Sequence, residues 1–180
     1  MAATYSPAKH LESDVLFSTL YSELHRLARR QLAGQFIPAR FGATTLLHEA
    51  YLNMANGASF PDRARFMAYA SRVMRGLIID HARARKSAKK GGRYHITAVT
   101  LDNLASPIDA RELALISDAL EELTTVEPEL ATLVDLKFFC GFSFAEIGEM
   151  QMISERTVQR KWEKARIYLH QSIRGRATHD

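Results

Sequence analysis

A single cysteine, Cys140, leaves this 180-residue chain no intramolecular disulfide framework, so packing must hold it together, and a reducing compartment suits it. Apolar runs are short, and none approaches the roughly eighteen residues of a membrane span. Met1 is not followed by the charged and then apolar segments of a secretion signal. The expectation is a cytoplasmic protein with no membrane partner. The seven histidines (His10, His25, His48, His81, His95, His170 and His179) have no Cys or His partner at metal-ligand spacing. A glycine-rich phosphate loop is also missing; Gly91-Gly92 beside lysines reads as a linker. No catalytic constellation stands out, so neither enzyme activity nor a metal or cofactor is expected.

What the chain does have is charge in blocks. The formal net charge is only +4. Arg63 to Arg93, however, holds ten basic residues against Asp80 alone, Leu101 to Met150 holds eleven acids against Arg111 and Lys137, and Ser154 to Arg176 returns to seven bases against two acids. Two basic blocks split by an acidic one suggest two surfaces that meet a polyanion at separate places. The alternative is three solvated helix faces.

Gly141 to Lys164 reads as helix, turn, helix. Phe144, Ile147 and Met150 share one face of a short helix, Ser154 is placed to cap a second, and Val158, Trp162, Ala165 and Leu169 recur at helical spacing along it. The other face offers Arg156, Gln159, Arg160, Lys161 and Lys164, donors suited to phosphates and purine edges in a major groove. An ordinary helical hairpin with a wet basic face has the same pattern.

The expected fold is all-α: two small helical domains joined by a flexible linker, the second containing the helix-turn-helix. Val15, Leu16, Leu20, Leu24 and Leu27 mark a first helix with Ser13 as cap, broken by Gly34 to Gly42. A second runs from about Thr44 to Met54 on Leu46, Leu47, Ala50, Tyr51 and Met54, and stops at Asn56-Gly57. After a turn at Ser59 to Asp62, a third spans about Arg63 to Ala88 with Phe66, Tyr69, Ala70, Val73, Leu77 and Ile78 inward. A brief alternation at His95 to Leu101 is too short to read as a sheet. The boundary falls in the linker at 91–110, between domains at 10–90 and 111–176. The second domain starts with a helix through Leu115, Leu120 and Leu123, then one begun by Pro128 through Leu133, Leu136 and Phe139.

These residues resemble the bacterial sigma-70 type initiation factors of the extracytoplasmic-function (ECF) group. In the carboxyl-terminal half the likeness rests on Gly141, Phe142, Ser143, Glu146, Ile147, Glu149, Ile153, Ser154, Thr157, Val158, Arg160, Ala165 and Arg166; in the amino-terminal half it rests on TTLLHEAYL and ARFMAYASRVMRGLIIDHARARK. The resemblance implies a sigma factor that directs core RNA polymerase, through its largest-subunit clamp and its flap, to promoter DNA. It implies −35 readout by Arg156, Gln159, Arg160, Lys161 and Lys164, with Ser154 and Thr157 capping and holding phosphate. It further implies −10 recognition and melting by Arg63, Arg65, Arg72 and Arg75 around Tyr69, the candidate wedge, with Phe66 in the core and Arg83, Arg85, Lys86, Lys89 and Lys90 as a phosphate track.

The departures are informative. Relatives carry an acidic cluster on the polymerase-docking helix, where this chain has Gly42, Thr44, Thr45, His48 and only Glu49. Neutral threonines cannot form charge-assisted pairs with clamp arginines, but phosphorylation of Thr44, Thr45 or Ser59 by a Ser/Thr kinase would supply the charge. Thr44 is equally a good helix cap. Met152 stands where helix-turn-helix proteins often carry glycine in a left-handed turn, and Gly148 stands in for the usual alanine, loosening its helix. An anti-sigma factor is a further possible partner, and two other readings stay open: a stand-alone regulator that binds an operator without polymerase, and a regulatory interaction protein that is sequestered or degraded rather than bound to DNA.

Overall fold

The computed structural model describes residues 11–33, 41–54, 58–88 and 110–177. Apart from one two-residue antiparallel pairing, the described part is helical, as the periodicity predicts. That pairing joins β1 (Leu11–Glu12) to β2 (Ser59–Phe60), with Leu11 opposite Phe60. Of the expected breaks, Gly34 to Gly42 up to residue 40, the Asn56-Gly57 stop and the linker at 91–110 up to residue 109 lie outside the described residues, and so does the alternation at His95 to Leu101.

The first expected helix is two, α1 (Ser13–Thr19) and α2 (Tyr21–Leu32), with a joint at Leu20. Ser13 does not cap it. The N-cap is Glu12, which makes no side-chain bond, and Ser13 is buried in the first turn with its N–H bonded to the Ala58 carbonyl. α3 (Ala43–Asn53) starts one residue before Thr44, its N-cap is Gly42, and Thr44 therefore caps nothing. Tyr51, expected inward, is 41% exposed. α4 (Arg63–Ala88) has the expected bounds, and Asp62 caps it by accepting the Arg65 N–H at 2.8 Å.

α5 (Ala110–Val126) is followed by α6 (Pro128–Val134), which has Pro128 in its first turn where no amide partner is needed. α6 runs without a break into a π-helical turn, Asp135–Cys140, whose wider coil buries Asp135, Leu136, Phe138 and Phe139 together. Gly141 ends it at φ 80°, a left-handed backbone that favours glycine, with the movable Arg30 guanidinium lying over it. α7 (Phe144–Gln151) and α8 (Glu155–Ala177) complete the chain.

α4 is the centre of the molecule. It packs against α2 and α3 on one side and against α5, α6, the π-helical turn and α7 on the other, so the buried apolar residues of both halves form one continuous core.

Candidate nucleic-acid interface

The α7–α8 hairpin is built from local hydrogen bonds. Ser143 Oγ accepts the Glu146 N–H at 3.2 Å while Glu146 Oε2 accepts the Ser143 N–H at 2.7 Å, a reciprocal cap that holds the Glu146 carboxyl below its ordinary pKa. Met152 takes the left-handed conformation at φ 55°, as the turn requires. Gly148 does more than loosen α7. A Cβ there would lie 2.8 Å from the Ile153 carbonyl oxygen, so glycine lets the turn fold close over the helix. Ser154 Oγ accepts the Thr157 N–H at 3.2 Å and lies 2.9 Å from Thr157 Oγ1, which makes it the cap of α8.

The apolar face of α8 is buried at Val158, Trp162, Ala165 and Leu169, and Trp162 packs inward beside Phe144. With that face fixed, Arg156, Gln159 and Arg160 are exposed on the first turns. Arg156 and Arg160 line an open notch of about 750 Å³ whose floor includes Phe144 and Trp162. Gln159 Nε2 donates to Glu155 Oε1 at 3.2 Å. Lys161 pairs with Glu129 at 2.7 Å and Lys164 with Glu127, acids that flank Pro128 at the start of α6. Lys161 draws the Glu129 carboxyl below its ordinary pKa. Exposed pairs contribute only about 0–1 kcal/mol, so a phosphate can displace either carboxylate.

On α4 the sequence-assigned residues divide. Arg83 is exposed; the side chains of Arg85 and Lys86, and Lys89 and Lys90 altogether, lie outside the described part. Arg63 pairs with Glu23, and Arg65 pairs with Asp62 at 3.3 Å. Phe66 is in the core as expected, and Tyr69 is half-buried with its ring 5.2 Å from that of Phe60.

Arg75 differs most from expectation. It is fully buried, with Nη1 donating to Asp135 Oδ1 at 2.7 Å, Nε to Ser117 Oγ at 3.2 Å, and its guanidinium 4.4 Å from the centre of the Phe139 ring. Arg72, one turn earlier, reaches the other oxygen of Asp135 at 3.3 Å. In this arrangement Arg75 cannot meet DNA, because the acid that compensates it comes from the other half of the chain. Sequence periodicity had no means of finding Asp135.

A family model described as ECF sigma factor matches residues 9–175, through both basic blocks and the acidic one between them. The chain belongs to the ECF sigma factor family. No curated protein matches it. As a sigma factor it works in transcription with core RNA polymerase and promoter DNA.

The residues expected from the resemblance to meet polymerase are on α3. Thr44, Thr45 and His48 are exposed and Glu49 is half-buried. Thr44 Oγ1 lies 3.5 Å from His25 Nε2 on α2, and Tyr21 stacks on His25. Phe17 meets both Tyr21 and Tyr51, giving an aromatic strip beside α3 that the sequence reading missed by turning Tyr51 inward. Ser59 is exposed in β2. Desolvation, and then the nearby Asp135 carboxylate, push the half-buried Cys140 thiol above its ordinary pKa. Among the described residues no His, Cys, Asp and Glu side chains group as a metal site, and no helix is long and apolar enough to cross a membrane.

Proposed function

We propose that residues 10–90 dock core polymerase and open the −10 element, that 91–110 link, and that 111–176 read the −35 element. The observation that carries this is the exposure of Arg156, Gln159 and Arg160 on the first turns of α8, in a chain whose family match spans both basic blocks. Arginine suits guanine and glutamine suits adenine, each bidentate pair contributing about 1–3 kcal/mol of discrimination. Ser154 and Thr157 fix the register, and Lys161 and Lys164 exchange carboxylate for phosphate on binding. Tyr69, flanked by Arg63, Arg65 and Arg72, is the candidate surface for an unstacked base, and Arg83, Arg85 and Lys86 follow the backbone. The stand-alone regulator is not favoured, since the match includes the polymerase-docking half.

Core docking falls to Thr44, Thr45, His48 and Glu49, a face short of the acids that clamp arginines pair with. Phosphorylation of Thr44 or Thr45, or of Ser59 nearby in the chain, adds about −1.5 to −2 charges, favourably near the N-terminus of α3. Exposure of all three hydroxyl residues supports the idea, and the His25 ring beside Thr44 leaves a polar partner within reach of an added group. A Ser/Thr kinase would then gate polymerase binding; an anti-sigma factor would act by covering the same face. The test is core affinity of wild type against Thr44→Glu and Thr45→Glu. Tighter binding by either variant supports gating, and equal binding by all three removes it.

A further inference from the structure

Three groups from two halves of the chain converge where α4 crosses the π-helical turn. Arg72 and Arg75 present two guanidiniums, and Asp135 supplies the one carboxylate that both share, with a side chain only 1% exposed. The cluster therefore carries one positive charge more than it neutralises. Arg75 Nη2 is also buried and has no hydrogen-bond partner among the described residues. A buried donor left unmatched is costly, and so is desolvation of the pair, which makes this a poor device for stability alone. Its excess of guanidinium donors over carboxylate acceptors suits an oxyanion. A carboxylate and a phosphodiester offer a guanidinium the same forked pair of oxygens and the same single charge.

We propose that Asp135 is an intramolecular stand-in for a nucleic-acid phosphate. Its carboxylate occupies a two-arginine anion site on α4, so the carboxyl-terminal half competes in cis with DNA for that face. This rests on the reading of α4 as the −10 binding helix. Opening the contact returns Arg72, Arg75 and Asp135 to water together, so no charge is left buried alone, and the cost of opening is the apolar surface of Phe138 and Phe139 that it uncovers. A polyanion that captures the two arginines holds the halves apart. Ser117, which accepts from Arg75 Nε, and Phe139, which lies against the guanidinium, fix Arg75 in the closed form without adding negative charge.

The test compares the full-length wild type with Asp135→Asn and Ser117→Asp, measuring binding to a fluorescent duplex that ends in a single-stranded fork by anisotropy over a range of salt. Asp135→Asn, which keeps shape and loses charge, is expected to bind about tenfold more tightly, within the usual range of coupling between sites. Its affinity should also fall more steeply with salt as further phosphates are engaged. Ser117→Asp, which adds a second carboxylate beside Arg75, is expected to bind more weakly, and it decides the matter alone if Asp135→Asn does not fold. Equal affinity and salt slope for the wild type and the folded variants overturns the proposal. If wild type meanwhile programmes core polymerase to discrete start sites, only the stand-in falls. Absence of any such start removes the −10 reading and the proposal with it.

Discussion

Arg75 and Asp135 are 60 positions apart in the chain and 2.7 Å apart in the fold, and both side chains are shut off from water. Removing one partner of a buried pair leaves an uncompensated charge, whereas replacing both with apolar groups of similar volume is often neutral or stabilising. Asp135→Ala is therefore expected to destabilise the closed arrangement by about 3–5 kcal/mol. The double variant Arg75→Met/Asp135→Leu should unfold at or above the wild-type temperature. Calorimetry of Asp135→Ala, Arg75→Met and the double variant checks this; a loss in the double variant equal to the sum of the two single losses would show that the pair is not coupled.

The hairpin turn separates two glycine-related costs. Met152→Gly relieves a left-handed backbone that a side chain resists, and is expected to stabilise the protein by roughly 1 kcal/mol. Gly148→Ala, a gain by helix propensity, should instead destabilise, since its Cβ would meet the Ile153 carbonyl oxygen at 2.8 Å. Denaturant unfolding of both variants shows whether the signs are opposite, as the geometry requires.

Affinity and stability should divide along α8. Arg156→Ala and Arg160→Ala are expected to weaken promoter binding, by about 1–3 kcal/mol where the lost contact is a bidentate pair to a base, with little change in unfolding. Trp162→Ala removes a buried aromatic anchor and should cost about 3–5 kcal/mol of stability. Paired measurements of duplex binding and thermal unfolding check the division; a stability loss in the arginine variants would contradict it.

Glu146 and Glu129 each have a folded carboxyl pKa below the ordinary value, through the Ser143 amide cap and the Lys161 pair respectively. A depressed pKa contributes stability that is present above the unfolded value, roughly 4.3, and lost as pH falls through the folded one. Carboxyl NMR titration is expected to place both midpoints below the ordinary glutamate value, and Lys161→Ala should return Glu129 toward it while leaving Glu146 in place.

Much of this was legible from the chain because local rules carried it. The bounds of α4, the Ser154 cap, the left-handed Met152 and the buried stripe from Val158 to Leu169 follow from spacing and turn chemistry alone. What periodicity missed is tertiary. Arg75 reads as one more base in a basic helix until Asp135 arrives from the other half. Tyr51 fits an inward stripe until Phe17 gives its ring a partner at the surface. Gly148 looks like a weak helix former until the Ile153 carbonyl folds onto it.

Whether this ECF sigma factor programmes core RNA polymerase is measured directly by 5′-end mapping of transcripts made by core on genomic DNA fragments with and without the full chain. Discrete new start sites are expected that share two upstream elements and weaken when Arg156 and Arg160 are replaced. Start sites that do not depend on the added chain, with wild type and with Thr44→Glu and Thr45→Glu alike, would contradict that expectation.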